Sequence, residues 1–146
     1  CELACEESIA LPVFRLRARN ATDPRASEVV EQILRDEATH RAFAWDLVDS
    51  LRERLGPASA DWVRARIAWW LRVYLRARLE EQVTAYGAAA LGFGLIDRRE
   101  HWQSMKDCVA DTVLPRFVER GLLPANTTAE QLVAALRSQA QAPDPS

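Results

Sequence analysis

With 146 residues, 49% of them apolar, and only five glycines and seven prolines, the chain is long enough to bury a core of its own, and a single domain is the default reading. Its net charge of −2, with arginines interspersed among Glu and Asp rather than gathered into a stripe, lacks the electrostatic footprint of a nucleic-acid binder. No apolar run approaches the roughly 20 residues that cross a bilayer.

Of the nineteen basic residues only Lys106 is a lysine, a bias we read as genome composition. Cys1, Cys5 and Cys108 are too few for a disulfide framework, and Cys1 with Cys5 is too sparse for a structural zinc site. The chain opens at Cys1 inside what already reads as a helix, as a fragment or a processed product would. The default compartment is the cytoplasm; a first-position cysteine would also suit a lipoprotein lipidated at Cys1.

Ala, Leu, Arg and Glu crowd long uninterrupted segments, which predicts an all-α fold. The first helix is expected from about Leu3 to Arg19. Pro12 within it removes the backbone bond to Ser8, so a kink is expected there. Asn20-Ala21-Thr22-Asp23-Pro24 is a turn signal, with Asp23 placed to cap a second helix from about Arg25 to Leu55. Gly56-Pro57 stops it. Residues 1–56 therefore form a helical hairpin, and residues 57–138 add further helices that pack on it or form an interface.

The third helix should run from Ser59 or Asp61 to about Tyr86. Its Trp69, Trp70 and Tyr74, interleaved with Arg66, Arg72, Arg76 and Arg78, fill more than one face, which favours core or interface packing over a membrane-surface helix. Gly87 to Ile96 reads as a small-residue connection. A fourth helix should span Asp97 to about Arg120, kinked or ended by Pro115. A last short helix is expected after Asn126-Thr127-Thr128, ending near Ser138. The tail 139–146 reads as disordered.

Chemistry concentrates in the hairpin. Val30, Ile33, Glu37, His40, Ala44, Leu47 and Leu51 step by three and four, the spacing of a buried seam, and two ionisable residues interrupt it. On the first helix Ala4, Glu7, Leu11, Phe14 and Ala18 do the same, while Glu6 falls off the seam. Counted from Asp23, Glu7 lies sixteen residues back, and Glu37 and His40 fourteen and seventeen forward. Antiparallel packing brings all three to one height, roughly 21 to 26 Å from the turn.

Buried carboxylates cost several kcal/mol unless paired or bound to metal, and no cation sits on these seams. Glu37 and His40, three residues apart, offer an oxygen and a nitrogen on one face, a donor set suited to iron or manganese. Glu7, from the facing helix, would bridge two ions.

These residues resemble the ferritin-like superfamily, in which each helical pair supplies one Glu and then an acid-Glu-x-x-His motif. The match is Glu7-Ser8-Ile9-Ala10 followed by Arg35-Asp36-Glu37-Ala38-Thr39-His40-Arg41, and it covers about residues 1 to 55. It is similar to the second hairpin of bacterial ferritin-like domain proteins. The resemblance implies half of a four-helix bundle, a di-iron cofactor, and ferroxidase or other oxygen-dependent oxidoreductase chemistry. It also implies that Asp36 lies behind the ligands and orients a histidine by accepting its other ring N–H.

A complete site of this kind takes two Glu and two Glu-x-x-His motifs. This chain has one of each, since His101 has Arg98, not an acid, three residues before it. Completion would come from a second copy about a two-fold axis, as half-sized encapsulated ferritins do, or from a hairpin encoded upstream of Cys1. The rival reading is a non-catalytic helical interaction module, or a fragment, whose metal site is vestigial.

Overall fold

The computed structural model describes residues 2–56, 61, 62, 64–67, 69–71, 73, 88–128 and 131. Those residues form an all-α protein: α1 (Glu2–Asn20), α2 (Pro24–Leu55), α3 (Ala88–Gly92), α4 (Arg98–Cys108), a π-helical turn (Val109–Val113) and α5 (Leu114–Glu119). The described residues between 61 and 73 are helical too. Residues 74–86 of the expected third helix, Tyr74, Arg76 and Arg78 among them, lie outside the described residues, as do Arg72, all but Gln131 of the expected last helix, and the tail 139–146.

α1 and α2 form the predicted antiparallel hairpin. Asp23 Oδ1 accepts hydrogen bonds from the Arg25 and Ala26 amides at 3.0 Å each, with Pro24 in the first helical turn. This satisfies two of the amides that a helix start leaves unpaired. The turn is also held from outside, because Gly92 O accepts from the Thr22 and Asp23 amides at 2.8 and 3.1 Å. Gly94 sits beside it at φ +80°, where an added Cβ would come within 2.7 Å of Arg17 O. Only glycine allows this approach.

The stretch expected to be a plain connection contains α3. Three consecutive alanines, strong helix formers, explain the short helix. The single helix expected from Asp97 to Arg120 is real in extent but changes pitch at Val109–Val113. Pro115 has no N–H to give Asp111 O, so the regular ladder is interrupted just before it, where the π turn falls.

The core lies where α1, α2, the Trp-rich helical stretch and the α4–α5 segment meet. Ala4, Cys5 and Ile9 pack with Ala44, Trp45, Val48, Ile67, Trp70, Leu71, Met105, Val113 and Phe117. The Trp45 and Phe117 ring centroids are 5.0 Å apart at 56°. Trp70 is buried, as the packing reading of the aromatics required, whereas Trp69 is half exposed beneath the Arg66 guanidinium, 4.3 Å from its ring centroid.

The seam expected on α2 needs correction. Of the expected stripe only Val30 and Ala44 are buried, the other buried residues of α2 being Trp45 and Val48, while His40, Leu47 and Leu51 are exposed. A straight α-helix drifts about 20° per heptad against a 3.5-residue repeat, so one stripe cannot stay central along a helix of this length. Trp45 and Val48, not Leu47 and Leu51, turn toward the later helices.

Candidate metal centre

Ser8 fixes the height at which Glu7 meets α2. Its buried hydroxyl donates to Ala4 O at 2.6 Å and accepts from Trp45 Nε1 at 2.9 Å. Pro12 leaves Ser8 O without its usual helical donor, and the Cys108 thiol donates to that oxygen at 3.1 Å. One residue is thus bonded from both α2 and α4, and Glu7 is its neighbour.

Glu7, Glu37 and His40 converge as the residue count predicts, each offering a donor atom within 4.8 Å of the others. His40 Nδ1 lies 3.9 Å from Glu7 Oε2 and 4.0 Å from Glu37 Oε2. The two carboxylates are mostly covered, at 20% and 16% exposure, whereas the His40 side chain is 57% exposed. The trio therefore opens to one side, at the imidazole.

Neither carboxylate has a cation in hydrogen-bonding contact within the trio, the imidazole standing 3.9 and 4.0 Å away. Glu37 Oε2 is buried without a hydrogen-bond donor. Burial first, then the hydrogen bond and negative charge of Glu7, push the Glu37 carboxyl above its ordinary pKa, and His40 opposes them. With both groups ionised no donor reaches Oε2; a proton held between the two carboxyls would supply one. A cation would do the same, and the orphaned oxygen together with the mixed O/N donor set is what a site for iron or manganese provides.

Asp36, expected behind the ligands, is exposed and accepts from Gln32 Nε2 at 3.2 Å. Glu6 is exposed, as its position off the seam requires. Ser8 and Trp45 were not singled out from the sequence as positioning residues. The signal was weak: a serine beside Glu7 on the buried side of α1, and a tryptophan one place past the Ala44 seam.

The exposed Asp36 lies one turn from His40, and farther along the same face of α2 the exposed side chains are apolar. At about 100° per residue, Val29, Leu47 and Leu51 fall within about 20° of His40 on α2. They are 59%, 39% and 41% exposed, and the exposed Phe43 adjoins them.

No family model, curated protein or solved structure matches this chain. Among the described residues no helix is long and apolar enough to cross a membrane.

Proposed function

We propose that Glu7, Glu37 and His40 are one half of a carboxylate-bridged di-iron site of the ferritin-like kind, completed by a second helical hairpin. The orphaned Glu37 Oε2, buried between a carboxylate and an imidazole, carries this reading. Glu7, Glu37 and His40 would hold the metal from this side. Iron held there would supply Fe(II) oxidation by oxygen, or oxygen-dependent oxidation of a substrate. The protein's own contribution is positioning: Ser8 and Trp45 set the Glu7 height, and the covered carboxylates exclude water from one side.

The exposed Val29, Leu47 and Leu51 share the His40 face of α2 at roughly 10 to 17 Å along its axis, so a helix laid along that face to complete the site also covers this apolar ridge. A second copy satisfies both needs, because a two-fold axis through the open face brings a second Glu7, Glu37 and His40 opposite the first. A second hairpin from elsewhere would do the same. The same ridge also favours a non-catalytic helical interaction module, and metal binding separates the two.

Anaerobic Fe(II) titration of the metal-free protein should give about one iron per chain, with binding abolished in Glu37→Ala and His40→Ala. Unchanged binding in both variants would overturn the assignment. Sedimentation with and without Fe(II) should show metal-dependent pairing if the second copy completes the site.

A further inference from the structure

We infer that the groove between α1 and α4 binds an amphipathic organic anion, a carboxylate or phosphate head joined to a short apolar body. The groove is open to solvent along one side and offers about 760 Å3, within the roughly 300–1,000 Å3 of small-molecule sites. Leu11, Pro12 and Leu16 supply an apolar floor. Arg15 and Arg19 from α1, Arg41 from α2 and Arg99 from α4 line it as well. Glu7, Glu37 and His40 are not part of it, so this site is separate from the proposed metal centre and does not rest on it.

The two helices run antiparallel, since Gly94 lies against Arg17 and Cys108 against Ser8. Arg15, Arg19 and Arg99 therefore gather at one end, in company with Glu100. Arg41 lies toward the other end with Asp107 and Asp111. The chain otherwise ties several of its arginines to acids: Arg64 to Asp61, Arg66 to Glu2 and Arg120 to Asp49. Among the described residues, none of the four groove guanidiniums makes such a pair, and the Asp107 carboxylate is engaged by Gln103 Nε2 at 2.6 Å.

Three guanidiniums at one end of an open groove with a short apolar floor are a directional arrangement. Each presents a planar fork that matches a carboxylate or phosphate in two parallel bonds. A head group seated there would leave its apolar body to run over Leu16, Pro12 and Leu11 toward Cys108. Inorganic phosphate would gain only the first part of that contact, and a neutral alcohol only the second.

The test is calorimetric titration of the full metal-free chain with octyl phosphate and octanoate below their micelle concentrations, alongside inorganic phosphate and octanol. One amphiphile per chain should bind, at least tenfold more tightly than inorganic phosphate or octanol. Arg15→Ala and Arg99→Ala should each weaken it about tenfold, while Arg25→Ala, outside the groove, leaves it unchanged. Equal affinity for inorganic phosphate, or unaltered binding in both groove variants, would overturn the inference. Loss of binding in Leu47→Ser would also overturn it, by placing the amphiphile on the α2 ridge. So would association with anionic vesicles in the absence of any binding to the monomeric amphiphile.

Discussion

Replacing Glu37 with glutamine should stabilise the metal-free protein, the opposite of what most substitutions of a covered residue do. The Glu37 side chain is 16% exposed and its Oε2 has no donor. A buried acceptor left unsatisfied costs about 1–3 kcal/mol, and the Glu7 charge adds to this. Glutamine keeps the shape, removes the charge and brings an N–H2 that can donate to Glu7. Because the folded-state pKa of Glu37 is raised, the penalty is absent while the group is protonated and grows as pH rises through that pKa. Glu37→Gln should therefore gain about 1–2 kcal/mol at pH 8 and almost nothing at pH 4. With a urea dependence of about 2 kcal/mol/M, the unfolding midpoint at pH 8 should rise by about 0.5–1 M. Fluorescence-monitored urea titrations with a chelator present would read it. Fe(II) should then reverse the order, since at a hundredfold excess over Kd it stabilises a binding protein by about 2.7 kcal/mol. A variant no more stable than the parent at pH 8, or a gain that persists unchanged at pH 4, would refute the reasoning.

Other substitutions probe the frame around the site. Phe117→Ala empties a fully buried position against Trp45 and should cost about 3–5 kcal/mol in chemical denaturation. Gly94→Ala places a methyl against Arg17 O at positive φ; a loss above about 1 kcal/mol is expected, seen as a lowered Tm. Asp49 is bound in two parallel contacts by Arg120, 2.8 and 2.9 Å long, and this bond holds its pKa below the ordinary value. A depressed carboxylate stabilises above its unfolded pKa and loses that contribution as pH falls through the folded one. Asp49→Asn should accordingly cost about 0.5–1 kcal/mol at pH 7, discounted for a partly exposed pair, and nothing near pH 2 in paired denaturation curves. Ser8→Ala removes the acceptor of the Trp45 indole and should cost about 1–2 kcal/mol, with weaker Fe(II) binding if Ser8 sets the Glu7 height.

Much of the hairpin was legible because its signals are local. Asp23 followed by Pro24 caps a helix whatever packs on it, and Gly56 ends one. Residue counting across that turn then brought Glu7 level with Glu37 and His40, since rise per residue is a property of the helix itself. The helix type and the convergence of the three donors were in this sense written along the chain.

Which side of α2 is covered was not. His40, Leu47 and Leu51 share the periodicity of a core seam with Glu37 and Ala44, yet they face outward, because Phe117 takes Trp45 and the later helices take Val48. Periodicity names the candidate faces, but burial is decided by partners far away in sequence. The same holds for the bond from Cys108 to Ser8, a hundred residues apart, and for the arginines of the groove. Spacing along two helices and the turn between them brought Glu7, Glu37 and His40 level, whereas only packing between helices could orphan an oxygen of Glu37 and leave the His40 side of the trio open.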